Sequence, residues 1–324
     1  MQWQDLLTFQ VPVWTRPGHP VLRHILQQEK RRRPLLWRAG VRALGLAVGA
    51  ALVGLSWWAY RHDIPLAVSS VTDSAAFQIL YLPLVLFQLY LLVTAFALPV
   101  SMFEHEQRFG TWEAVKITSH GAEMTIYARW AATMYQIRWR LAVVMSVRVF
   151  FAVQLITSLV RYQGRYLELY SADIAPAVSG AEVMLLLAAL VTGILLLPLA
   201  LISLNIALGL LFPVLLQNRY VLVLAQSGVL AVECLLFMSA TLWNLNLQWS
   251  AAGHFGAWED ALVISLAGDQ GLLLLDGETL FQFWADVPNG VLFGVLLLAI
   301  VVVLAAAAQA ALWLAAWLAG RPTA

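Results

Sequence analysis

The feature that most restricts this chain is a series of long runs with almost no charge. They lie at Val41–Tyr60, Phe77–Phe103, Leu141–Val160, Val183–Leu216, Tyr220–Trp243 and Val291–Leu318. Each is long enough to cross a hydrocarbon layer of about 30 Å as a helix, which needs roughly 20 apolar residues. The runs are continuous instead of alternating every second residue, so they predict helices and not barrel strands. Across all 324 residues, 61% are hydrophobic and 11% are charged. That balance excludes a soluble globular enzyme and a basic nucleic-acid binder. The expectation is an all-α polytopic membrane protein of six transmembrane helices, forming one domain over 1–324.

Lys and Arg predict the orientation. Arg16, Arg23, Lys30, Arg31, Arg32, Arg33, Arg38 and Arg42 precede span one. Arg108, Lys116, Arg129, Arg138 and Arg140 lie between spans two and three, Arg219 between four and five, and Arg321 at the end. The opposite side has only Arg61, Arg161 and Arg165, while Arg148 falls inside span three. Both termini are expected in the cytoplasm, with the protein in the cell (inner or plasma) membrane. Residues 244–289 carry acids and no Lys or Arg, which suits an outer segment. Residues 1–39 lack the apolar core of a signal peptide. Trp57, Trp58, Trp243 and Trp249 fall at predicted outer ends, and Trp37, Trp313 and Trp317 at inner ends, as interfacial anchors do.

Several chemistries find no support. One cysteine, Cys234, allows no intrachain disulfide and no cysteine metal cluster. The six histidines show no zinc-binding spacing, so no metal site is expected. There is no phosphate-binding loop with Gly-Lys-Ser/Thr and no Gly-x-Ser-x-Gly elbow. An intramembrane enzyme needs convergent groups at one depth, whereas Glu233, Arg148 and Asn205 are isolated in the sequence. No repeat relates residues 40–160 to 183–318, as an ion-coupled carrier commonly shows.

Two cytoplasmic segments carry more information. In residues 19–33, Val21, Leu22, Ile25 and Leu26 share one helical face and polar residues fill the rest, predicting an amphipathic helix in the interface. In residues 104–123, Gly110-Thr111 reads as a helix start, with Thr111 as cap, Glu113 in the first turn, and Trp112 and Val115 as an exposed apolar face. Such a face usually meets a partner.

Glu106-x-x-x-Gly110-Thr111-x-Glu113, with Thr118 five residues on, resembles the Glu-x-x-x-Gly-Thr-Leu-Glu-x-Leu-x-x-Thr-Pro signature of ABC transporter type-2 permeases. His19-Pro20-Val21-Leu22 resembles that family's Asn-Pro-Val-Leu opening of the connecting helix. Arg108, Phe109, Trp112 and Ser119 depart from the signature. The resemblance implies that 104–123 is a coupling segment docking a separate ABC ATPase subunit, through Glu106, Gly110, Thr111, Trp112, Glu113 and Thr118. It implies an exporter subunit paired with a second permease copy or a homologous permease. This chain would bind no cofactor, with ATP and Mg on the ATPase. A permease-like scaffold that does not transport fits the same topology.

Polar groups within the spans are costly and usually paired or functional. The family places spans two and five on the transport path, which makes Gln88, Gln226 and Glu233 candidate path-lining residues. Each is as readily an interhelical hydrogen-bonding group, and Glu233 is a candidate partner for Arg148. Span four contains Pro198 and Pro213 and is expected to tilt or break. Gly45-x-x-x-Gly49 in span one predicts close helix packing within the chain.

Overall fold

The computed structural model describes residues 22–23, 35–62, 75–108, 121–170, 180–216, 220–232, 234–235 and 287–320. All the regular structure among them is helical. We number the helices α1 (Leu35–Arg61), α2 (Ala75–Arg108), α3 (Gly121–Tyr170), α4 (Gly180–Leu215), α5 (Tyr220–Val232) and α6 (Val287–Ala319). Three stretches within them are long and apolar enough to cross a membrane: Ile79–Met102, Val191–Leu215 and Gly294–Ala319. A helix satisfies its own backbone polar groups, which an apolar solvent cannot do. Two threonine hydroxyls are met by the backbone of their own helices. Thr94 donates to the Tyr90 carbonyl at 2.7 Å, and Thr133 to the Arg129 carbonyl at 2.9 Å.

Helices α1, α2, α3 and α6 overrun the spans read from the sequence at both ends. At about 1.5 Å per residue, α3 with its 50 residues reaches roughly 75 Å, far beyond the hydrocarbon thickness. Its opening stretch, Gly121 to Arg140, is helical although polar. Ile126, Ala128, Ala131, Ala132 and Ile137 in that stretch are buried, so more than one side of the helix is packed there despite the arginines around it.

The core lies among α2, α3, α4 and α6. Leu91 and Ala95 of α2, Ile137 and Val144 of α3, Ile202 and Ile206 of α4, and Leu297 and Ala315 of α6 are buried in one cluster. The α4–α6 seam is the most extensive contact, and α4 also packs on α2 and α3. Helix α1 lies on α2. Outward positions are apolar as well: Val302 and Val303 of α6 are two-thirds exposed, as lipid-facing side chains are.

Tie points fix the directions. One guanidinium, Arg148, bonds both Gln88 of α2 and Ile194 of α4. Further along both helices, Gly209 of α4 meets Phe96 and Pro99 of α2. Residue numbers rise together, so α2 and α4 run parallel. Gly193 of α4 faces Leu297 of α6, while Gln309 of α6 bonds Tyr127 of α3. Helix α3 therefore runs against α6, and α2, α4 and α6 share one direction. The ends of α2, α4 and α6 and the start of α3 lie at one end of the bundle.

The close packing expected at the glycine pair of α1 does not occur among the described residues. A Cβ at Gly45 or Gly49 would meet nothing within 4 Å, so this face packs on no described part of the chain.

Candidate functional site

Helices α2 and α3 are antiparallel and in contact, and residues 109–120 join them. The end of α2 at Arg108 and the start of α3 at Gly121 both lie at the end of the bundle where α4 and α6 also finish. Glu106 falls in the last turn of α2. Gly110, Thr111, Trp112, Glu113 and Thr118 lie outside the described residues, as do Glu233, the outer segment 244–289 and most of 19–33.

The first turns of α3 gather partners from distant parts of the chain. Leu22 is helical, fully buried, and packed with Ala131 and Ala132, with Trp130 and Tyr135 alongside. The apolar face predicted for residues 19–33 is thus engaged by protein at Leu22. Gln309 Nε2 donates to the Tyr127 hydroxyl oxygen at 2.8 Å and pins α6 to the same region. Arg129 is fully buried between these contacts in sequence. Arg138 and Trp139 follow on the exposed side, the guanidinium 5.7 Å from the ring centre, and Trp139 is 73% exposed. Arg140 lies 5.4 Å from the Tyr90 ring centre on α2. At the end of α6, Trp313 and Trp317 stack at 6.3 Å with both rings exposed, as an interfacial anchor would. Arginines and aromatic rings thus collect toward the end where α2 finishes and α3 starts.

Deeper in the bundle, Arg148 is fully buried. Its Nη1 donates to the Ile194 carbonyl at 2.5 Å and its Nη2 to Gln88 Oε1 at 2.6 Å. Gln88, a candidate path residue by sequence, is buried and holds this cation. Gln226 is half-buried on α5. Asn205 is buried in α4. Among the described residues, no three His, Cys, Asp or Glu side chains come together as a metal site, and Cys234 is exposed.

Sequence reasoning missed the Tyr127–Gln309 bond and the docking of Leu22 on α3. No local spacing signals either, because both join segments more than 100 residues apart. The Arg148–Ile194 bond did leave a signal in Pro198, developed below. Comparison with protein families, with curated proteins and with solved structures returns no match to this chain.

Proposed function

We propose that the chain is the transmembrane permease subunit of an ABC transporter, an exporter, worked by separate ATPase subunits. What supports this reading is that the Gly110-Thr111-x-Glu113 signature falls in sequence between Arg108, the end of α2, and Gly121, the start of α3, two helices that pack antiparallel. A coupling helix needs that position: it must reach a soluble motor while being held on two core helices. The positive-inside bias makes this end cytoplasmic. Because α4 and α6 run parallel, residues 216–286 must bring the chain back across the bundle. This supports a crossing that starts with α5, and hence six spans with both termini inside.

In this reading, ATP binding closes two ATPase subunits and moves the 109–120 link. The link lies between α2 and α3, so the push reaches Gln88 and Arg148 through continuous helix. The spans then reorient as packed bodies, opening alternately to each side of the membrane. The permease pairs with a second copy or a homologue, and Gln226 and Glu233 line the path between them.

Purification in mild detergent tests the assignment, with a P-loop ATPase expected at one copy per permease. Gly110→Pro or Trp112→Asp should abolish ATP-dependent transport in vesicles and leave membrane insertion intact. If no ATPase accompanies the chain and both variants behave as wild type, the transporter reading fails and a scaffold remains.

A further inference from the structure

Arg148 chooses its backbone acceptor for a reason written in α4. In an α-helix the N–H of each residue bonds the carbonyl four residues earlier. The residue four after Ile194 is Pro198, inside α4, and proline has no N–H. The Ile194 carbonyl therefore loses its helical donor in a layer where water cannot replace it. Arg148 Nη1 supplies the missing donor from α3 at 2.5 Å, and Nη2 reaches across to Gln88 on α2 at 2.6 Å. A planar guanidinium offers several donors in a fixed fork, which suits two acceptors on different helices.

We infer that Pro198 and Arg148 together form a hinge lock. The proline opens the α4 ladder and creates the acceptor. The arginine closes it from outside the helix and fastens α2, α3 and α4 at one level. Turning the N-terminal half of α4 about Pro198, away from α2 and α3, must break the Arg148–Ile194 bond and reopen that carbonyl. The lock follows from α2, α3 and α4 alone and stands whether or not the chain is a transporter subunit.

The test is a double-mutant cycle on the full chain in mild detergent, read as the midpoint of tryptophan-detected unfolding. Wild type, Arg148→Met, Pro198→Ala and the double variant are compared. Alanine at 198 returns an N–H to Ile194. Arg148→Met is expected to lower the midpoint strongly in the wild-type background and by clearly less in the Pro198→Ala background, where the Ile194 carbonyl keeps a helical donor. Equal losses in the two backgrounds overturn the inference. If Arg148→Met alone does not fold, recovery of folded protein on adding Pro198→Ala supports the lock, and failure to recover it refutes it. Spin labels at Leu82→Cys on α2 and Met184→Cys on α4, in a Cys234→Ser background, read the hinge itself. Arg148→Met should broaden the α2–α4 distance distribution, and an unchanged width overturns the hinge.

Discussion

Replacing Gly209 with alanine probes the α2–α4 contact directly. A Cβ there would sit 2.8 Å from Pro99 Cγ and 3.3 Å from the Phe96 carbonyl carbon, with the Phe96 carbonyl oxygen nearer still. Carbon atoms pack best at about 3.5–4.0 Å, so the Pro99 contact is short by at least ~0.7 Å. The obstacle is helix backbone and a proline ring, neither of which can rotate away, so α2 and α4 must separate. Overpacking of this kind costs roughly 1–3 kcal/mol. Alanine's better helix propensity returns about 0.5–1 kcal/mol. With the obstacle rigid, the net loss should be about 1–2 kcal/mol. Gly193→Ala is a matched control, because the atoms nearest its Cβ all belong to the Leu297 side chain and not to backbone. It should fall within ~1 kcal/mol of wild type. Gly45→Ala meets nothing within 4 Å and should be neutral or stabilising by up to ~1 kcal/mol. Reversible unfolding by SDS titration in mixed micelles, followed by circular dichroism, ranks the three. If Gly209→Ala is as stable as Gly45→Ala, the close approach of α2 and α4 at this point is wrong.

Two further outcomes follow from contacts at the start of α3. Tyr127→Phe keeps the ring but removes the acceptor for Gln309, and should cost about 0.6 kcal/mol, up to ~1.7, in the same unfolding assay. Leu22→Ala removes a fully buried side chain worth roughly 2–5 kcal/mol, which should undock the N-terminal segment from α3. Trypsin should then cut the Arg31–Arg33 cluster faster than in wild type, while an unchanged rate would mean that Leu22 does not hold the segment.

Much of the helical framework was legible because hydrocarbon allows few alternatives. Uninterrupted apolar runs in α2, α4 and α6 leave a chain no option but to bond its backbone internally. The early part of α3 was not legible. Its buried Ile126 and Ile137 face the main core while Ala131 and Ala132 face Leu22, so no single apolar stripe marks the stretch, and Arg129, Gln136, Arg138 and Arg140 among them give it the look of a surface loop. Arg138 and Arg140 lean on aromatic rings, whereas Arg129 is buried within the fold. Arg148, Gln88 and Pro198 were each conspicuous alone. What joins them is the four-residue offset between a proline and the carbonyl it deprives, together with an inter-helix contact that hydropathy does not encode. The Gly110-Thr111-x-Glu113 stretch was readable as residue types, and the antiparallel packing of α2 and α3 on either side of it in sequence was not.

The α4–α6 seam has a consequence for biogenesis. Helices α2, α3 and α4 follow one another in the chain and can meet as soon as each leaves the ribosome. Helix α6 is separated from α4 by residues 216–286. At about 5–20 residues per second, α4 waits several seconds for its largest neighbour. Through that interval its unmatched flank faces lipid or the insertion machinery, and the three earlier helices must hold it upright. Losing α6 through a late stop codon should therefore leave an inserted fragment that quality-control proteases recognise by that bare flank.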